Sequence, residues 1–258
     1  NVEIGSNHKY GKNYSYLKKY KFNYLLHNYF PVPRKDFVIN IASMDKKTRS
    51  KSLKHIKKAI KFTKKINAKM YTFHPGFLSD PIRKNLTDKN YDFLWKKEKI
   101  DKKMKSKAWN LMIKNLKLIV NYAKKKKVQI CIETEGSKNK KDYLLMQKPE
   151  EFKRFFKYFS PRDIGFNLNI GHLNLASKAF KFDKFKFVNL ISGYIKAMEL
   201  SHNFGINDDH LPLKKNSWYW KIINDERFSN TYKILEYRNT NYKKILKSLK
   251  LFKNEKKN

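Results

Sequence analysis

Between residues 195 and 213 a short apolar run gives way to Glu199, His202, Asp208, Asp209 and His210, side chains that can hold a metal ion or move a proton. Gly205 lies among them, where the chain must turn. The pattern recurs. Other short apolar runs end at His74, at Glu133, at Asn169 and His172, and at Glu236. Each has a plainer use when taken alone. His74 precedes Pro75 and Gly76 and suits a turn, Glu236 can pair with Arg238, and Asp208 and His210 suit a polar loop. Glu133 is harder to dismiss, because it follows Cys131 in a run that folding should bury, and a buried ionised carboxylate must be paired or bound to a metal.

Groups so far apart in sequence meet only if the strands carrying them run parallel and end on one face, as the strands of a barrel do. The chain reads that way. Short apolar runs at residues 2–5, 24–30, 37–42, 70–76, 128–133, 164–170, 195–200 and 232–237 alternate with Lys-rich stretches that carry apolar residues at helical spacing. The run at 37–42 is either a strand or an extended loop at the mouth. Helices are expected after Asp45, across residues 100–127, from Pro149, and from about residue 240. Residues 77–99 read as a loop or lid at the mouth and residues 253–258 as a basic tail. The expectation is an α/β fold, a single-domain (β/α)8 TIM barrel, which typically takes about 250 residues.

The 258 residues, 40% hydrophobic, can bury one large core. No apolar run approaches the ~20 residues of a membrane span. The start at Asn1 has neither an initiator Met nor a signal-peptide apolar block, so a trimmed targeting segment fits as well. The single Cys131 excludes an internal disulfide and points to a reducing compartment, cytoplasm or organelle matrix. Any metal must then be held by His, Asp and Glu. The net charge of +38, from 60 Lys+Arg against 22 Asp+Glu, suits a nucleic-acid partner. It also suits an AT-rich genome, because Lys is spread along the helices and Asn, Ile, Phe and Tyr are abundant with it.

Taken in order, INIAS at 39–43, RSKS at 49–52, FHPG at 73–76, IETEG at 132–136, NIGH at 169–172, DDH at 208–210 and the run ending in Glu236 resemble the motifs of the endonuclease IV family. That family belongs to the xylose isomerase-like barrels, which also include sugar isomerases and epimerases. Its members hold three metal ions, usually zinc, and cut the nucleic-acid backbone beside an abasic site. The resemblance implies one ion on His172, Asp208 and His210. It implies a second on His74 and Glu133, with Arg34 standing where the pattern has a histidine. A third would use Glu133 and Glu236, with Asn169 in place of an aspartate and Glu199 in place of a histidine. A guanidinium cannot ligate a cation, and an amide is a weaker oxygen ligand than a carboxylate.

Three functions follow as expectations. The first is a metal-dependent nuclease on abasic DNA, with Glu133 and Glu236 catalytic and Arg34, Asn40, Lys196 and Arg238 against the substrate. The second is a basic barrel that binds DNA or RNA without cutting it, as in a ribonucleoprotein. The third is a sugar isomerase or epimerase, in which Glu133, Asn169, Glu199 and Glu236 hold one Mg²⁺ or Mn²⁺ and the two catalytic carboxylates exchange a proton beside a carbonyl.

Overall fold

The apolar runs become strands and the Lys-rich stretches become helices. The computed structural model describes residues 1–5, 8–11, 13–87, 90–95, 100–137 and 143–255, so the end of the basic tail and parts of the 77–99 segment lie outside the described residues. In chain order the elements are β1 (Val2–Ile4), β2 (Tyr24–His27), α1 (Lys46–Lys65), β3 (Met70–Phe73), β4 (Pro81–Thr87), β5 (Asn90–Trp95), α2 (Lys102–Lys126), β6 (Gln129–Glu133) and α3 (Pro149–Phe155). They continue with β7 (Gly165–Asn169), α4 (Ile170–Phe180), α5 (Lys184–Ile191), β8 (Ile195–Leu200), α6 (Trp220–Ile223), β9 (Tyr232–Leu235) and α7 (Tyr242–Glu255).

One sheet of seven strands runs β1-β2-β3-β6-β7-β8-β9, every neighbouring pair parallel, and curls into a nearly closed TIM-barrel-like fold. Parallel pairing puts all the strand ends on one side, which is what the scattered acids and histidines require. Inside the curl Leu25, Met70, Cys131 and Ala197 pack together, with Tyr232 and Ile234 against them. The larger core lies between the sheet and the helices. α2 shows why helices form here. Asp101 caps its first turn through Met104 N at 2.7 Å, and Ala108, Met112, Leu116, Ile119 and Ala123 bury one stripe. Met112 and Leu116 are wholly buried, each worth about 1.5–3 kcal/mol over exposure.

Of the eight expected runs, the third, residues 37–42, does not join this sheet. Residues 37–40 form no strand and residues 41–42 turn; side chains take up their backbone groups, so no ladder forms. Tyr29 Oη accepts from Ile39 N at 2.9 Å, Ser52 Oγ from Asn40 N at 2.9 Å, and the Asn40 carbonyl oxygen from Ala42 N at 3.0 Å. Of the two expectations for this run, the loop is the one that holds. Within residues 77–99, β4 and β5 form an antiparallel hairpin. Trp95 stacks on Tyr143 with centroids 4.9 Å apart, and Leu78 N donates to Tyr143 O at 2.7 Å. Among the described residues no helix is long and apolar enough to cross a membrane.

Candidate metal centre

Each ligand-capable group is delivered by the end of a strand. His27 closes β2, His74 follows β3, Glu133 closes β6, and Asn169 closes β7 and caps α4, whose first turn carries His172. Glu199 is the penultimate residue of β8. The loop after β8 folds back through a His202–Leu211 bridge and brings Asp208 and His210 into reach. Glu236 follows β9. The β6 and β7 ends are locked together by backbone contact, since a Cβ on Gly136 would run into the His172 carbonyl.

Three groups among the described residues could hold a metal ion, their ligand atoms all within 4.8 Å of one another. They are His172 with Asp208 and His210, His27 with His74 and Glu133, and Glu3 with His27 and Glu199. Two ligands on one tetrahedral ion sit roughly 3.4 Å apart, given bond lengths near 2.0–2.2 Å. The separations match: Glu133 Oε2 is 3.6 Å from His27 Nε2, and His172 Nε2 is 3.6 Å from Asp208 Oδ2. Glu133 Oε2 and Asp208 Oδ1 are buried and have no hydrogen-bond partner, so each group has an acceptor atom to spare for a cation. Glu133 joins the first two groups, its Oε1 lying 3.1 Å from His172 Nδ1. The imidazoles are held from behind: His74 Nδ1 is 2.7 Å from Glu135 Oε1, His27 Nδ1 is 2.8 Å from Thr72 Oγ1, and His172 Nδ1 is 2.9 Å from Thr134 O.

The carboxylates of Glu133, Glu199 and Glu236 meet differently. They converge on the Asn169 amide nitrogen, which donates to Glu133 Oε1 at 3.0 Å, Glu199 Oε2 at 3.0 Å and Glu236 Oε2 at 3.3 Å. Asn167 Nδ2 donates to the other oxygen of Glu199 at 2.7 Å.

Charges at the mouth divide accordingly. Burial alone would lower His74, but Glu133 and Glu135 outweigh it and lift the ring to about 9. His210 reaches about 9 in the same way, against burial, through Glu236 and Asp208. His172 is also raised well above the ordinary value, by Asp208 and Glu133. Asp208 and Glu133 are correspondingly held below the usual carboxylate range by the imidazoles around them, despite burial. Glu199 goes the other way, pushed up by burial and then by Glu133 and Glu236. His27 is lowered, because burial outweighs its acidic neighbours.

Other expected residues fall elsewhere. Arg34 is exposed in the loop after β2. Asn40 is wholly buried and braces two loops, donating to Phe77 O at 3.2 Å and Asp80 Oδ1 at 2.8 Å. Lys196 sits at the amino-terminal end of β8 beside Gly165, opposite the mouth. Arg238 is at the mouth, its Nη1 donating to Asp208 O at 3.2 Å. His202 and Asp209 belong to none of the three groups. His27 and Glu3 are the residues that sequence reasoning missed; His27 lies inside the apolar run 24–30, and only the observed end of β2 puts it at a strand end as Glu133 is.

The family model described as xylose isomerase-like TIM barrel matches residues 14–255. No curated protein matches the chain. Among solved structures, a D-tagatose 3-epimerase-like protein superposes with a TM-score of 0.75 at 19% identity, covering 98% of this chain and 86% of that one. A D-psicose 3-epimerase from Clostridium cellulolyticum gives 0.66 at 12% identity, covering 99% and 97%. A protein from Thermus thermophilus, solved after soaking with ZnCl2, gives 0.62 at 14% identity, covering 93% and 81%. At these identities the likeness concerns the fold alone.

Proposed function

The chain belongs to the xylose isomerase-like TIM barrel family, and we propose that within it this protein is a metal-dependent phosphodiester hydrolase of the endonuclease IV type, acting on nucleic acid at abasic sites. The observation that carries this reading is the pair of histidine-rich groups joined through Glu133 at one mouth. Nitrogen-rich sets with a carboxylate suit zinc, and two ions close together suit the displacement of one phosphate oxygen by another.

His172, Asp208 and His210 would hold one ion, and His27, His74 and Glu133 the other. When bound, such ions supply Lewis acidity toward a phosphoryl oxygen and make water a better nucleophile at neutral pH. The chain's own residues do the rest. Arg238, anchored on Asp208, offers a guanidinium to a backbone phosphate at the rim. Glu236, 35% exposed, is more open than Glu133 or Glu199, and against the cost of partial burial the His210 charge holds it ionised. Its carboxylate is therefore the acceptor for a proton released by attacking water. The net charge of +38 favours association of the protein with a polyanion.

The sugar epimerase reading is supported by the fold of the superposed structures and by the convergence of three glutamates. Against it, those glutamates face the hydrogens of an amide. A nicking assay on an abasic duplex decides the matter. Cleavage abolished by chelator and by Asp208→Asn is expected. Salt-dependent binding without cleavage would make the protein a non-catalytic nucleic-acid binder, and turnover of a ketose without nicking would make it an epimerase.

A further inference from the structure

We infer that the Asn169 side-chain amide takes the place of a cation among Glu133, Glu199 and Glu236, so that this position binds no metal ion and, since the Glu3–His27–Glu199 group shares its one imidazole with the second ion, the barrel holds two ions instead of three. The inference rests on the two-ion reading above and concerns the one position where the residues do not fit the ion that the family resemblance implies.

The argument turns on a single oxygen atom. Asn169 caps α4: its Oδ1 accepts from His172 N at 3.1 Å. That bond fixes which end of the amide faces which way, because reversing it would set NH₂ against a backbone N–H and turn a carbonyl oxygen onto three carboxylates. Its Nδ2 therefore points into the trio and shares two hydrogens among three oxygens at 3.0, 3.0 and 3.3 Å. An ion bound by those oxygens would have to sit where these hydrogens are. An aspartate has two acceptor oxygens, so it can cap the helix with one and ligate with the other. Asparagine has one, and here it is spent on the cap.

The side chain cannot swing aside. Asn169 is wholly buried, and its backbone N donates to Thr134 Oγ1 at 3.0 Å. Glu199 is itself tied down by Asn167. The amide thus keeps three acids together without an ion, and one substitution separates this centre from one that would bind.

Counting ions tests the inference without reference to activity. Purified protein is loaded with Mn²⁺ or Zn²⁺, freed of excess, and measured by elemental analysis and native mass spectrometry. Wild type should carry two ions, and Asn169→Asp one more than wild type, with a new Mn²⁺ paramagnetic resonance signal. A wild-type count of three, or a folded Asn169→Asp that gains nothing, overturns the inference. Should Asn169→Asp fail to fold, Glu199→Gln replaces it: an unchanged count supports the inference, and loss of one ion defeats it. A wild-type count below two defeats the two-ion reading instead, while the difference between Asn169→Asp and wild type still judges the centre.

Discussion

At the mouth of this barrel Asp208 lies 2.7 Å from His210 Nε2 and 3.6 Å from His172 Nε2, whereas Glu199, one strand end away, faces the amides of Asn167 and Asn169. Both are carboxylates gathered at strand ends, yet their charge is met in different ways. Around Asp208 the compensation comes from imidazoles that carry removable protons, and a divalent ion can replace those protons. Around Glu199 it comes from neutral N–H groups that cannot leave. Ligand identity alone therefore does not make a metal site; the compensating partner must be exchangeable.

The largest expected effect breaks the comparison on the imidazole side. Asp208→Ala removes the anion between two imidazoles and should weaken zinc binding by more than about 100-fold, beyond the range typical of groups behind a ligand. Glu199→Gln should leave zinc affinity unchanged, and isothermal titration of both variants measures the contrast. Next comes Glu135→Gln, which removes the carboxylate behind His74 and should cost about 10–100-fold in affinity for one ion only, read by the same titration.

A smaller effect concerns pH. Folded His74 and His210 keep their protons up to about 9, whereas unfolded histidine releases its own near 6.5. In chelated protein their stabilisation is thus complete below 6.5 and lost as pH rises through 9. Tm without metal should fall by a few degrees across that window, while zinc affinity rises over it because fewer protons need displacing. An unchanged Tm would remove the claim that protons occupy these groups. Smallest is Asp45→Ala, which deletes the α1 cap, a 2.7 Å bond from Thr48 N. It should cost about 1 kcal/mol by chemical denaturation and leave the ion count alone.

The sequence was most readable where position in a strand decides position in space. The strand-end rule placed His74, Glu133, Asn169, His172, Glu199 and Glu236 at one mouth because parallel pairing leaves no other arrangement. His27 escaped the rule because the expected run continued to Phe30 whereas β2 stops at His27, and the rule puts Lys196 at the wrong end of β8, as that residue stands second in its strand. Residues 37–42 were less readable. Their apolar pattern is that of a strand, and whether a strand forms depends on a neighbour to share hydrogen bonds. The partners supplied by Tyr29 and Ser52 are fixed only by the packed fold. The direction of the Asn169 amide needed the helix cap, a contact between adjoining elements.

Gly136 adds a constraint of another kind. With the backbones of the β6 and β7 loops in van der Waals contact there, Glu133 and His172 stand on a common rigid base. Changes of rotamer can adjust how each holds a ligand, but they cannot alter how far apart the two bases are. The interval between Glu133 and His172 is thus a gauge set by the main chain, and changing it requires moving peptide planes.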